Sequence, residues 1–320
     1  MDRTNQRLSD RRGGVALRLL GTLAAVCVLA VIAGCGERQS AAPGAGPTTT
    51  DEPDRSGWPE KVRFGLVPSE GGADIVERMK PLVDHLSREL GIPVEAFSAS
   101  EYQGVVTAMQ NKQVDIAYFG PQSYVVAHRI AGAQAIAKEL SEAGSTGYHA
   151  ILVVHKDTGW KTLADLKGKK LAFVSPMSTS GYLVPSVALE EQLGMAPEAY
   201  FSEIVFTGSH GSSVQRVVNK DVDVAATNDM DLNSMVLAGQ VSMDPLVEVW
   251  RSDLIPGSPM AVRRDLPESF KLAAQRAFIS FSKETEALAR MGRVGFVEAT
   301  DEEYDLVRLM DQKKSAKPPG

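Results

Sequence analysis

Three segments bring hydroxyl, imidazole and carboxylate side chains to places where they could hold a small anion. The first is Ser175-Pro176-Met177-Ser178-Thr179-Ser180-Gly181, between a strand-like run at 171–174 and a helical pattern at 182–193. Its three consecutive hydroxyls (Ser178, Thr179, Ser180) and Gly181 stand where the free N–H groups of a helix start point outward. Such a helix end carries about half a positive charge and suits a tetrahedral oxyanion. One Ser or Thr would suffice as an N-cap; three in a row exceed that need. The second segment is Thr207-Gly208-Ser209-His210-Gly211-Ser212-Ser213, after a run at 204–206. His210 among small residues at a strand-to-helix turn is poor core material. A neutral imidazole donates one hydrogen bond to an oxyanion and an imidazolium adds charge, although a lone histidine serves structure as readily. The third is Thr227-Asn228-Asp229-Met230-Asp231, after 222–226. Here Asp229 and Asp231 either cap the helix expected over 232–237 or receive a cationic or hydroxyl end of a ligand. Tyr102 and Tyr148 stand near element starts in the first half, positions that tyrosines commonly use for packing.

Other chemistries fit less well. Ser178 or Ser180, His210 and Asp229 or Asp231 are the residue types of a Ser-His-Asp hydrolase. There is no GxSxG elbow, however, and the hydroxyls are clustered as an anion cradle needs. GxxxxGK[ST] is absent, so no nucleotide P-loop is expected. The five histidines show no metal spacing, since His149 and His155 lie six apart on one strand, too distant for one ion. No metal and no cofactor are expected.

The elements that must position these turns alternate. Strands are expected over 61–67, 93–97, 114–119, 149–155, 171–174, 204–206, 222–226 and 246–250. Helical patterns lie over 75–90, broken by Pro81, and over 102–110, 123–130, 182–193, 213–219 and 232–237. Strands alternating with helices imply mainly parallel sheets covered on both faces. Two such blocks give an α/β protein of two lobes, with ligands outside the carboxyl ends of the strands. The stretch 255–310 reads as a return to the first lobe. Boundaries expected on this basis are 58–153 with 251–310 for the first lobe and 154–250 for the second. A disordered, charged tail follows at 311–320.

The 320 residues carry 34 Lys+Arg against 40 Asp+Glu, a net −6 that argues against a nucleic-acid partner. That sum mixes two unlike pieces. Residues 1–34 hold five Arg and two Asp, which leaves 29 basic and 38 acidic side chains, a net −9, in residues 35–320. The Arg-rich start and the apolar run 19–34 describe a secretory signal, too short for a membrane span of about 20 residues. Its end, Ile32-Ala33-Gly34-Cys35, resembles the bacterial lipobox, which implies a leader at 1–34 and lipid on Cys35. Cys27 would leave with the leader. Residues 35–57 are small, polar and Pro-rich and read as a flexible tether.

The ordered motifs resemble substrate-binding lipoproteins of the phosphonate/phosphite/phosphate class of ABC importers. They are Phe64-Gly65-Leu66-Val67-Pro68, Tyr102, Val114-Asp115-Ile116-Ala117-Tyr118-Phe119-Gly120-Pro121, Gly147-Tyr148, Ser178-Thr179-Ser180-Gly181-Tyr182, Gly208-Ser209-His210 and Val222-Asp223-Val224-Ala225. The resemblance implies a type II periplasmic-binding fold with the ligand in the interlobe cleft. It also implies phosphonate oxygens held by Ser178, Thr179, Ser180 and His210, with Tyr102 and Tyr148 closing over them. Acidic residues near Asp229–Asp231 would hold a ligand amine in aminoalkylphosphonate binders. Such members carry Asp within the segment 255–259; this chain has Ser258, which favours phosphite, methylphosphonate or phosphate. The implied partners are a small phosphorus oxyanion, a permease with its ATPase, and the membrane through the lipid anchor. The protein would then be a monomer outside the cytoplasm of a bacterium, and not an enzyme. A membrane-tethered sensor of a small anion is the alternative role.

Overall fold

The computed structural model describes residues 54–69 and 72–316. The expected leader and almost the whole tether, with Cys27 and Cys35, lie outside the described residues. Within the described residues no helix is long and apolar enough to cross a membrane.

The apolar runs form strands β1 (Val62–Leu66), β2 (Val94–Ser98), β3 (Ile116–Tyr118), β4 (Ala133–Ser141), β5 (Gly147–Tyr148), β6 (Ala150–His155) and β7 (Lys170–Phe173). They continue as β8 (Glu203–Phe206), β9 (Val224–Asn228), β10 (Leu246–Arg251), β11 (Ile255–Pro256), β12 (Pro259–Arg263) and β13 (Arg293–Glu298). The helices of the first half are α1 (Gly72–Leu90), which runs through Pro81, α2 (Tyr102–Gln110), α3 (Pro121–Ala131), α4 (Val184–Leu193) and α5 (Pro197–Tyr200). Then come α6 (His210–Val218), α7 (Asp229–Leu237), α8 (Glu268–Ser280), α9 (Thr285–Arg290) and α10 (Asp305–Ser315).

A six-stranded sheet has the order β13-β4-β12-β3-β1-β2 and a five-stranded sheet the order β10-β6-β9-β7-β8. Each is the floor of one lobe. Alternation along β6 shows how the second sheet is covered on both faces. Ile151 and Val153 pack with Val214, Val217, Leu232 and Met235 from α6 and α7. Leu152 and Val154 pack on the opposite face with Phe173, Leu189, Tyr200 and Phe201. In the first sheet, Phe64 and Leu66 share a cluster with Leu82 and Leu86 of α1 and Phe270 and Phe278 of α8.

Three expectations are corrected. The sheets are mixed rather than mainly parallel. β12 pairs antiparallel with β3 and β4, β13 with β4, and β6 with β9 and β10, because the chain re-enters each lobe from the far side. The lobe boundary also shifts. The crossings meet in a two-stranded antiparallel ribbon, β5 with β11, so residues 150–153 belong to the second sheet. That ribbon depends on Gly147, where a Cβ would stand 2.2 Å from the Ile255 carbonyl oxygen. Finally, the tail expected to be disordered from 311 is helical to Ser315. Lys313 and Lys314 lie in the last turn, favourable to the helix dipole, and Lys313 pairs with Glu191 at 3.1 Å.

Candidate functional site

The predicted turns converge in one cleft between the lobes. From the second lobe it is lined by Ser178, Thr179, Ser180, His210, Asn228 and Asp231, and from the first by Ser69, Tyr102, Tyr118, Gly120, Glu139 and Ser258. Val67, Tyr148 of the crossing ribbon and Met230 complete it. The lobes touch here through main chain and side chain. The His210 N–H donates to the Ser69 carbonyl at 2.7 Å, and the Gln122 N–H donates to Thr179 Oγ1 at 2.8 Å. The cavity between these side chains is small, about 20 Å³. Such a space suits a small ion rather than an extended molecule.

The hydroxyl cradle follows from local sequence. Phe173 ends β7, and residues Thr179–Leu183 form a wide π-helical turn capped by Ser178 before α4 begins. Gly181 permits that turn, since a Cβ there would lie 2.4 Å from Val174 Cγ2 and 2.7 Å from Ser178 Oγ. Each hydroxyl oxygen already accepts one N–H. Ser178 accepts from Gly181 at 3.0 Å, Thr179 from Gln122 at 2.8 Å, and Ser180 from the Asn228 side-chain amide at 3.2 Å. A serine or threonine hydroxyl has one proton to donate and is otherwise an acceptor. Thr179 and Ser180 also hydrogen-bond the Tyr148 phenol, so the three hydroxyls and the phenol line the cleft as one hydrogen-bonding set.

His210 begins α6, and its ring is 3.1 Å from Thr227 Oγ1 through Nδ1. With the Thr227 hydroxyl donating to Nδ1, the ring proton is assigned to Nε2, which stands 3.4 Å from the Asn228 side-chain amide and 3.7 Å from Asp231 Oδ2. Burial pushes the imidazole below its ordinary value, against the opposing pull of Asp231, so it is neutral at pH 7. For Asp231, burial works upward but is outweighed by His210, the Arg293 guanidinium and the Asn228 amide, and the carboxyl titrates below its usual range. Burial first, then the Asp231 charge, raises the Tyr148 phenol and keeps it a protonated donor.

The His210 shift has a direct consequence for stability. On unfolding, the ring regains an ordinary pKa of 6.5, so below that pH the unfolded chain binds the proton first. His210 therefore costs stability as pH falls below about 6.5, by at most about 1.4 kcal/mol per pH unit. Ligand-free wild type should lose melting temperature between pH 7 and pH 5.5 more steeply than His210→Gln; parallel profiles would refute the assignment.

Behind the cradle lies a buried ionic chain. Arg293 Nε donates to Glu139 Oε2 at 2.6 Å and Nη2 to Asp231 Oδ1 at 3.2 Å, while Tyr118 OH donates to Glu139 at 3.1 Å. The lining has two carboxylates, and among the described residues it has no Lys or Arg.

Of the predicted site residues, Tyr102, Tyr148, Ser178, Thr179, Ser180, His210 and Asp231 meet in this cleft, and Asp229 does not. Successive residues of a helix turn by about 100°, so Asp229 and Asp231 at the start of α7 face different ways. Asp229 is turned to the surface, where it accepts from the His149 N–H at 2.9 Å and from Arg251 at 2.7 Å. Sequence reasoning passed over Ser69, Tyr118, Glu139, Asn228 and Arg293. Asn228 was within reach as a strand-end residue. Glu139 and Arg293 sit on β4 and β13, which the periodicity did not disclose.

Comparison with known proteins agrees with this architecture. The family described as "ABC transporter, phosphonate, periplasmic substrate-binding protein" matches residues 64–304. The chain is 33% identical over 310 residues to the phosphate-import protein PhnD of Mycolicibacterium smegmatis, covering 89% of this chain and 92% of the relative. It is 32% identical over 239 residues to the phosphonates-binding periplasmic protein of Escherichia coli, covering 73% and 70%. A crystal structure of a binding protein component of an ABC phosphonate transporter from Pseudomonas aeruginosa superposes with a TM-score of 0.75 at 27% identity, over 80% of this chain and 86% of that one. With its two lobes, its interlobe cleft and a match over most of its length, this chain belongs to the family of periplasmic substrate-binding proteins of phosphonate ABC transporters.

Proposed function

We propose that this binding protein captures a small phosphorus oxyanion (phosphate, phosphite or methylphosphonate) by closure of its lobes. It then delivers the anion to a membrane permease driven by an ATPase. The observation that carries this reading is the hydrogen-bond accounting of the cradle. Ser178, Thr179 and Ser180 each already accept an N–H, and together with the Tyr148 phenol they bring a cluster of hydroxyls to a small interlobe cavity with no Lys or Arg among its described residues. The substrates in the two relatives' names, phosphate and phosphonates, point the same way.

A ligand amine finds little here. Met230 and Ser258 line the cleft, and the carboxylates present are already engaged, Asp231 by Arg293 and Asn228, Glu139 by Arg293 and Tyr118. Hydrolysis is also disfavoured. A triad needs one imidazole nitrogen on a carboxylate and the other on the nucleophile. His210 instead has Nδ1 on Thr227 and Nε2 towards Asp231, while Ser180 is bonded to Asn228. The leader at 1–34 and a lipid on Cys35 complete the proposal, tethering the domain outside the cytoplasm.

The test is calorimetry and thermal shift in phosphate-free buffer against phosphate, phosphite, methylphosphonate, aminoethylphosphonate and sulfate. A ligand at about 100 times its dissociation constant should stabilise the fold by about 2.7 kcal/mol. Absence of any shift with every phosphorus compound sinks the proposal. Preference for aminoethylphosphonate overturns the exclusion of an amine.

A further inference from the structure

Among the described residues, the cleft holds a buried polar group, the Ser69 hydroxyl, with no hydrogen-bond partner. Ser69 lies three residues beyond β1, is 8% exposed, and lines the cleft from the first lobe. Its backbone is fully engaged. The N–H donates to the Val67 carbonyl at 2.8 Å, closing a tight turn, and the carbonyl accepts the His210 N–H from the other lobe at 2.7 Å. Its hydroxyl Oγ is buried with no hydrogen-bond partner among the described residues. A buried polar atom without a partner costs free energy that a native fold normally avoids. The position therefore makes sense when something else in the cleft satisfies it.

We propose that the Ser69 hydroxyl is the first lobe's donor to the bound oxyanion, opposite the Ser178–Ser180 cradle. This rests on the reading of the cleft as an oxyanion site. Two features support it. The hydroxyl is a donor left over in a cleft that the three cradle hydroxyls enter from the other side, so a ligand oxygen between the lobes would be held from both. The same residue's carbonyl carries one of the contacts by which the lobes touch, so Ser69 is fixed in place only when the cleft is closed. Ligand contact and closure are thereby joined in one residue. The hydroxyl would reward binding in the closed arrangement and would leave an open one almost untouched, which places its effect on dissociation rather than on association.

The experiment compares Ser69→Ala with wild type by calorimetry and stopped-flow binding, using methylphosphonate, phosphite and inorganic phosphate in turn, with melting curves of the ligand-free proteins. Removing one such donor should weaken binding by about tenfold, carried by a faster dissociation rate. The ligand-free melting temperature should hold or rise, because a buried unmatched hydroxyl has been deleted. A structural role predicts the opposite pair, a lower melting temperature and unchanged affinity, and would overturn the assignment. So would affinity within twofold of wild type in a folded variant. If wild type binds none of the three anions, the oxyanion reading itself falls and takes this inference with it. Wild-type binding with an indifferent Ser69→Ala removes the inference alone.

Discussion

Ser180→Ala should weaken oxyanion binding by about 10- to 100-fold while leaving the ligand-free fold near wild-type stability. Hydrogen bonds to charged groups contribute about 1.5–3 kcal/mol, which spans that range. Ser180 is suited to the test because its oxygen is oriented by Asn228 at 3.2 Å, and Asn228 is itself fixed by Asp231 at 2.9 Å and caps α7 through the Asp231 N–H at 2.7 Å. The alanine removes a donor without dismantling the cap. His210→Ala should act on the same scale, by removing the Nε2 proton. The double variant tests whether the two grip one anion. Losses that add in free energy would take the affinity down by about 100- to 10,000-fold, and marked non-additivity would indicate that one group merely positions the other. Calorimetry in phosphate-free buffer reads both. Affinity within threefold of wild type for Ser180→Ala would remove the cradle as the binding element.

How much of this site could be read beforehand depended on where each residue sits in the chain. Ser178–Ser180 and His210 follow strands and precede helices, and the strand-end rule for α/β sheets finds such residues without coordinates. The same rule brought in both Asp229 and Asp231. Only the helical phase separates the surface residue from the cleft residue, and that phase depends on where α7 starts. Ser69 also follows a strand, yet a single serine after a proline carries no pattern; its meaning lies in the unmatched hydroxyl, visible only once the lobes are brought together. Glu139 was hidden differently. Its strand reads Ala-Gln-Ala-Ile-Ala-Lys-Glu-Leu-Ser, and Ala, Glu, Lys and Leu are helix formers. Pairing with β12 and β13 on its two sides overrides that propensity. Three of the missed strands, β4, β12 and β13, pair antiparallel, and β6 and β10 were expected but not their antiparallel direction, which alternation alone does not encode.

Arg293 shows the energetic weight of what the sequence concealed. It enters from β13, where the register with β4 shifts between Arg293 and Gly295, and Val294 stands 43% exposed in that irregularity. A bulge of this kind re-aims a neighbouring side chain, and the guanidinium, 3% exposed, runs inward. It meets Glu139 of its own lobe at 2.6 Å, Asp231 of the other lobe at 3.2 Å and Ser234 at 2.8 Å. One cation thus neutralises two buried carboxylates and ties the lobes below the cradle. Arg293→Met keeps much of the volume but leaves both carboxylates buried without their cation. Breaking a buried pair in this way costs about 3–5 kcal/mol, which for a domain of this size lowers the melting temperature by roughly 10 °C. The sign with pH follows from the carboxylates. The Arg293 charge helps hold the Asp231 carboxyl below its usual range, and without it that carboxyl protonates more readily in the folded state, so the deficit should shrink as the pH is lowered towards 4. Adding Glu139→Gln and Asp231→Asn to Arg293→Met should recover part of the loss at pH 7, since amides need no counter-charge. A single-variant cost below about 1 kcal/mol, or a deficit that grows on acidification, would mean that the two lobes are not held through this guanidinium.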